Sequence, residues 1–100
     1  MTFNAYQEAV KMIAQYPVIG EGYIYPLIGL PGKVGKIFEI IEKVHRDQNN
    51  VIAGDTRTKL INELGAVLWY IAILATELEI GLDAVATITI INFSHEWSAA

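Results

Sequence analysis

Residues 64 to 76 run for thirteen positions without a charge in a chain of only 100 residues. The run is apolar on every side, which a helix tolerates only when more than one of its faces is buried. A chain this short has room for one core, so one domain over residues 1–100 is expected. The rest of the composition adds to the burden, with 53% hydrophobic residues and 18% charged. An average soluble domain carries about 25% charged residues. A lone domain of this size has too much surface to hide that much apolar material. The excess points to subunit interfaces, hence a homodimer or homotetramer, and an apolar interior cavity would take up part of it.

Several classes fall away on simple grounds. The chain has no cysteine, which excludes disulfides and thiolate metal sites. Its start, Met1-Thr2-Phe3-Asn4-Ala5, lacks the basic stretch and apolar core of a signal peptide. The uncharged run is shorter than the roughly 20 residues a membrane span needs. A net charge of −4 argues against nucleic acid, because phosphate contacts need a basic face. A soluble cytoplasmic protein with no membrane partner is the expectation.

Periodicity predicts four helices and an all-α fold. Tyr6, Val10, Ile13 and Ala14 recur at helical spacing and predict a first helix over residues 3 to 16, closed by Pro17. Residues 17 to 28 hold Gly20, Gly22 and Pro26 and read as an ordered, partly buried loop. A second helix is expected to start at Leu30 or Pro31, since proline is tolerated in a first turn, and to run to Arg46. Asp47-Gln48-Asn49-Asn50 is a polar turn. Asp55 or Thr56 caps a third helix that reaches about Glu79, with Gly81 as its stop. The fourth segment, 82 to 97, contains Thr87-Ile88-Thr89-Ile90-Ile91, a β-branched run that favours a strand on propensity. No other segment alternates to pair with it, so it is read as a helix, with its Ile-rich part an oligomer contact. The last residues, 98 to 100, are expected to fray.

Two segments carry recognisable motifs. They are Gly29-Leu30-Pro31-Gly32-Lys33-Val34-Gly35-Lys36 and Glu63-Leu64-Gly65-Ala66-Val67-Leu68-Trp69-Tyr70. Together, in this order and spacing, they resemble the MazG-type nucleoside triphosphate pyrophosphohydrolases, whose motifs read G-L-x-G-E-x-G-E and E-L-G-D-V-L-W-Y. The similarity runs from about Phe3 to Phe93. It implies a four-helix bundle, assembled as a dimer or tetramer, that cleaves a nucleoside triphosphate to monophosphate and pyrophosphate. Such chemistry places carboxylates at i and i+3 on two facing helices, where their oxygens hold magnesium that binds phosphate and activates water.

The match breaks at the metal ligands. The first motif's two glutamates fall at Lys33 and Lys36, and the second motif's aspartate falls at Ala66; Glu63 alone remains. In the family a later Asn-x-x-Lys pair helps hold the nucleotide, and it falls here at Thr89 and Asn92. Ammonium groups repel magnesium and cannot ligate it. No metal and no cofactor is therefore expected, and hydrolysis of nucleoside triphosphates is expected to be absent. The packing residues Leu64, Gly65, Val67, Leu68, Trp69 and Tyr70 are kept while the chemical ones are changed. That boundary points to an engineered or repurposed scaffold, with any present function in the pocket around Lys33, Lys36 and Glu63.

Alternatives stay open for that pocket. Lys33 and Lys36 would pair with Glu63 in a silent, purely structural oligomer. A lysine desolvated among Ile37, Ile40, Val67 and Phe93 could form a Schiff base with a carbonyl substrate. Glu63 in an apolar pocket could act as a general base, with Trp69 offering a flat face to an aromatic substrate. Two free lysines could instead grip a nucleotide's phosphates without metal. Ala66, Tyr70, Thr89 and Asn92 complete the pocket. Elsewhere, His45 reads as a solvated helix-end residue, Tyr16, Tyr23 and Tyr25 as packing or interface aromatics, and His95 with Glu96 as residues whose place near a frayed end weighs against a dyad or half a metal site.

Overall fold

The computed structural model describes residues 1–16, 20 and 22–98, the last four of these by backbone alone. Among them the chain is all-α, with helices α1 (Phe3–Ile13), α2 (Ile24–Asp47), α3 (Gly54–Glu77) and α4 (Leu82–Ser98). The β-branched segment of α4 is helical. The expected helix stop at Pro17 and the fraying of Ala99 and Ala100 lie outside the described residues. The helices fall into two compact units, Met1–Tyr23 with Ala72–Ala100, and Ile24–Ile71.

In the first unit, α1 begins at a Thr2 cap whose hydroxyl accepts from Ala5 N at 3.0 Å. It ends at Ile13, three residues earlier than the sequence implies, because Ala14 turns extended with ψ 132°. Its inner side is Gln7, Val10 and Ala14, all buried; Ile13, expected inside, is 65% exposed. Buried Ala72, Ile73 and Ala75 of α3 and Leu82 of α4 supply the rest of this small core. The first turns of α1 and α4 cap each other reciprocally. Asn4 N donates to Asp83 Oδ1 at 3.1 Å, and Asp83 N donates to Asn4 Oδ1 at 3.0 Å. Each side chain thus satisfies an amide that a helix start would otherwise leave without a partner.

Gln7 ties α1 to the turn between α3 and α4. Its Nε2 donates to Thr76 Oγ1 at 3.1 Å and to Ile80 O at 2.9 Å, while its Oε1 accepts from Leu82 N at 2.9 Å. The same turn closes α3 without using Gly81 as the stop. Ile80 N bonds Ala75 O and Glu79 N bonds Thr76 O, the paired 6→1 and 5→2 bonds of a Schellman motif. Its left-handed position is Glu79, at φ 58°. A side chain there costs about 1 kcal/mol that glycine does not. Glu79→Gly should therefore raise the unfolding free energy by roughly 0.5–1 kcal/mol, read from the urea midpoint at unchanged slope; a fall would show that the carboxylate stabilises the turn.

In the second unit, α2 starts at Ile24, well before the expected Leu30, and carries Pro31 in its interior. An interior proline removes one hydrogen bond and crowds the carbonyl four residues back, a cost of about 3 kcal/mol. Packing outweighs it. Pro26 is among the most completely buried side chains, and the first turns of α2 lie against Tyr70 of α3. Val44 and Thr56 are the other buried residues of this unit. Asn49 and Asn50 both adopt positive φ at the end of α2, a conformation asparagine tolerates, so the polar turn is formed by these residues. At 24 residues, α3 is long and apolar enough to cross a membrane by length and composition, although the uncharged run within it is shorter.

Candidate functional site

The motif segments lie on α2 and α3 inside the second unit. They meet at Gly29 and Tyr70. A Cβ on Gly29 would stand 2.9 Å from Tyr70 Cζ and closer still to Cε1, so only glycine lets the ring approach this backbone. Tyr25, one turn earlier, stacks on Tyr70 with ring centroids 6.3 Å apart and planes inclined by 29°. Its hydroxyl bonds that of Tyr70 and, together with burial, raises the Tyr70 pKa. First-motif glycine and second-motif tyrosine are thus one packing contact.

The positions to which the resemblance assigns metal ligands lie on the same two helices. Lys33 is half-buried, Lys36 exposed, and Glu63 half-buried. Among the described residues, neither lysine forms an ion pair with Glu63. The Oε2 atom of Glu63 is fully buried and has no hydrogen-bond partner, an arrangement that costs about 1–3 kcal/mol in a folded protein. Ile37, Ile40, Ala66, Val67, Trp69 and Tyr70 are half-buried in this unit. Thr89, Asn92 and Phe93 belong to the other unit and are exposed on α4. No three His, Cys, Asp or Glu side chains come together among the described residues.

The first unit holds a site that sequence reasoning missed. Glu77 Oε1 accepts from Tyr16 Oη at 2.5 Å and from Gly20 N at 2.7 Å, and the carboxylate also accepts from the Gly22 amide. Gly20 and Gly22 have φ of 78° and 150°, values that leave their amides free to converge on one oxygen atom or its neighbour. The tyrosine and the two glycine amides hold the Glu77 carboxyl below its usual pKa. Burial and the adjacent carboxylate push Tyr16 up to about 12. A cleft of about 280 Å³ opens beside this latch, floored by Val10, Ala14 and Ile73 and rimmed by Lys11, Thr76 and Glu79. One signal was available. Glu77 is the first charge after thirteen uncharged residues, and a Gly-x-Gly follows Tyr16-Pro17.

The latch gives stability a defined pH dependence. Glu77 titrates lower in the folded chain than in the unfolded one, so its contribution is present above pH ~4.5 and is lost as acid protonates the folded carboxylate. Tyr16 titrates higher when folded, so its contribution is complete below about pH 10 and is lost as pH rises through about 12. Tyr16→Phe should reduce the alkaline loss, to which Tyr6 and Tyr70 also contribute, and shrink the acid one, measured as urea midpoints across pH; an unchanged alkaline limb would refute the Tyr16 assignment.

The remaining candidates are peripheral. His45 is exposed and its Nδ1 lies 2.8 Å from Asn50 Oδ1. Tyr23 is 46% exposed. The side chains of His95 and Glu96 lie outside the described residues.

No protein-family model matches this chain, and no solved structure matches it. A sequence relative does. The Gene 37 protein of Mycobacterium phage L5 is 39% identical over 90 residues, a match that spans 85% of this chain and 79% of that protein. At that identity and coverage the two share one ancestry and one fold, and the chain belongs to the family of the Mycobacterium phage L5 Gene 37 protein.

Proposed function

We propose that this protein is a MazG-type pyrophosphohydrolase scaffold that has lost its magnesium site and does not hydrolyse nucleoside triphosphates. The observation that carries the reading is the donor chemistry at the two motifs, where Lys33, Lys36 and Ala66 stand at ligand positions and Glu63 is left alone. The Gly29–Tyr70 contact supports it from the packing side, because it gives residues kept in both motifs a physical reason to be kept. A phage relative of similar length favours natural divergence over design. The scaffold works as a cytoplasmic homo-oligomer, dimer or tetramer, which the many exposed apolar side chains on α2, α3 and α4 support. Carboxylates at positions 63 and 77, the second fixed as an ion by its latch, suit α3 to a protein interior rather than a bilayer.

One observation favours a second use for the site. Lys33 and Lys36 are not neutralised by Glu63, so both ammonium groups are available to an anion. Metal-free binding of a nucleotide's phosphates follows. A Schiff-base role fits less well, since Lys36 stands in solvent and Lys33 is only half-buried. The decisive assay is pyrophosphate release from each common nucleoside triphosphate with excess magnesium. No release above the protein-free control is expected, and clear magnesium-dependent turnover would overturn the proposal. Titration of a triphosphate in the presence of a chelator tests the second use. Weak binding that fades with salt and with Lys33→Ala is expected, and no heat at low salt would reject it.

A further inference from the structure

The cleft beside the Glu77 latch takes all of its walls from the first unit. Val10, Lys11 and Ala14 come from α1 and the residue that ends it, and Ile73, Thr76 and Glu77 from α3. Tyr16, Gly20 and Glu79 come from the segments that follow these helices. Its volume of about 280 Å³ is left unfilled by short side chains, those of Val10, Ala14 and Thr76, and by the absence of one at Gly20. The floor belongs to the core, since Val10, Ala14 and Ile73 are buried. Such a space lies near the lower end of small-molecule sites and suits an apolar body of about one ring.

Hydrogen-bond capacity remains at its edge, and it is acceptor capacity. A carboxylate accepts about four hydrogen bonds. Glu77 receives three, from the Tyr16 hydroxyl and the amides of Gly20 and Gly22. Among the described residues, no hydrogen bond or ion pair engages the Glu79 side chain. Thr76 is already occupied, donating to Ala72 O and accepting from Gln7. Lys11 is answered by Glu8 at 2.9 Å. The charges left at the cleft are therefore two carboxylates. A second opening of about 410 Å³ shares Lys11, Thr76 and Glu79 and adds Glu8, so the acidic character continues along α1.

An apolar floor under an acidic edge selects one chemistry. An anion is repelled by both carboxylates, and a neutral apolar molecule would cover them without offering a donor. A bare metal ion makes no use of the floor, and no three metal-ligating side chains converge among the described residues. An ammonium group supplies the charge and the N–H donors together. We propose that this cleft binds a small organic ammonium compound, its nitrogen at Glu79 and the open acceptor of Glu77, its apolar body over Val10, Ala14 and Ile73. Such a ligand also gives a use to Glu79, which holds φ 58° where glycine would sit without strain. The site contains no residue of either motif, so it stands or falls separately from the nucleotide reading.

The test is titration calorimetry on the full chain at neutral pH and low salt. Benzylamine, a cation there, is the probe; benzyl alcohol and benzoate carry the same ring with a neutral or a negative group. Benzylamine should bind with a Kd on the order of 1 mM, benzyl alcohol at least about threefold more weakly, and benzoate not at all. Glu79→Gln keeps the size of the side chain and should weaken benzylamine about three- to fivefold. Glu39→Gln removes the same charge from a residue that does not line the cleft, and should leave the affinity as it is. Glu79→Gly separates binding from folding, because it should stabilise the chain and lose at least as much affinity as Glu79→Gln. No binding of benzylamine up to about 10 mM overturns the proposal. So does equal affinity for all three probes, or an equal loss in Glu79→Gln and Glu39→Gln, which would reduce the binding to net charge.

Discussion

Gln7→Ala should cost about 3 kcal/mol of folding stability, among the largest effects of any single side chain outside the motifs. Three hydrogen bonds end on this buried amide, and two of its partners are backbone groups with little alternative. Without it, Leu82 N and Ile80 O are left unpaired, each at about 1–3 kcal/mol, while Thr76 Oγ1 keeps its bond to Ala72 O at 2.8 Å. Truncation also leaves a void between α1 and the turn above α4. Gln7→Leu fills the void and spares little, because the unpaired backbone groups remain. For a chain of this length the loss corresponds to a melting temperature lower by roughly 15 °C, compared at equal protein concentration. A Gln7→Ala protein within 0.5 kcal/mol of the native one would show that the turn finds other partners.

The importance of Gln7 and of Glu77 also marks where the sequence stopped being informative. Periodicity located all four helices, because their apolar positions recur and their breaks fall at Pro, Gly or polar clusters. It assigned the inner side of α1 to Ile13 and passed over Gln7, since a polar residue is placed inside only by partners from residues 76 to 82. The start of α2 was misplaced for the same reason. Pro31 reads as a helix beginning until Tyr70 is known to hold Gly29 and Tyr25 from α3. Glu79 in the left-handed position of the α3 stop is a local sacrifice that Gly81, two residues on, concealed. The motifs were legible as motifs because they combine packing with chemistry at fixed spacing. The latch was not, because its three donors come from residues about sixty positions away from Glu77.

Restoring acids at the motif positions should return magnesium binding. Lys33→Glu, Lys36→Glu and Ala66→Asp together with native Glu63 give two i, i+3 carboxylate pairs, one on α2 and one on α3. Lys33 and Lys36 are already alike in charge, so the new like-charge contact is the one between Glu63 and the acid at position 66, worth about 0.2–0.5 kcal/mol of destabilisation when no cation lies near, and the added negative charge repels the acids already present. The triple variant should therefore melt below the native chain in chelator. Magnesium at millimolar concentration should reverse the loss, because binding to the folded state alone adds stability as RT ln(1 + [L]/Kd). Titration calorimetry should move from no detectable binding in the native protein to a Kd near 1 mM, about −4 kcal/mol. The native chain serves as the control in both measurements and should respond to magnesium in neither. The two readouts separate the possibilities cleanly. If the acids lower stability and magnesium does not restore it, the pairs do not converge on one ion, and the scaffold reading fails. If magnesium restores stability and nucleoside triphosphates still release no pyrophosphate, the four acids converge on an ion and turnover needs more than that ion.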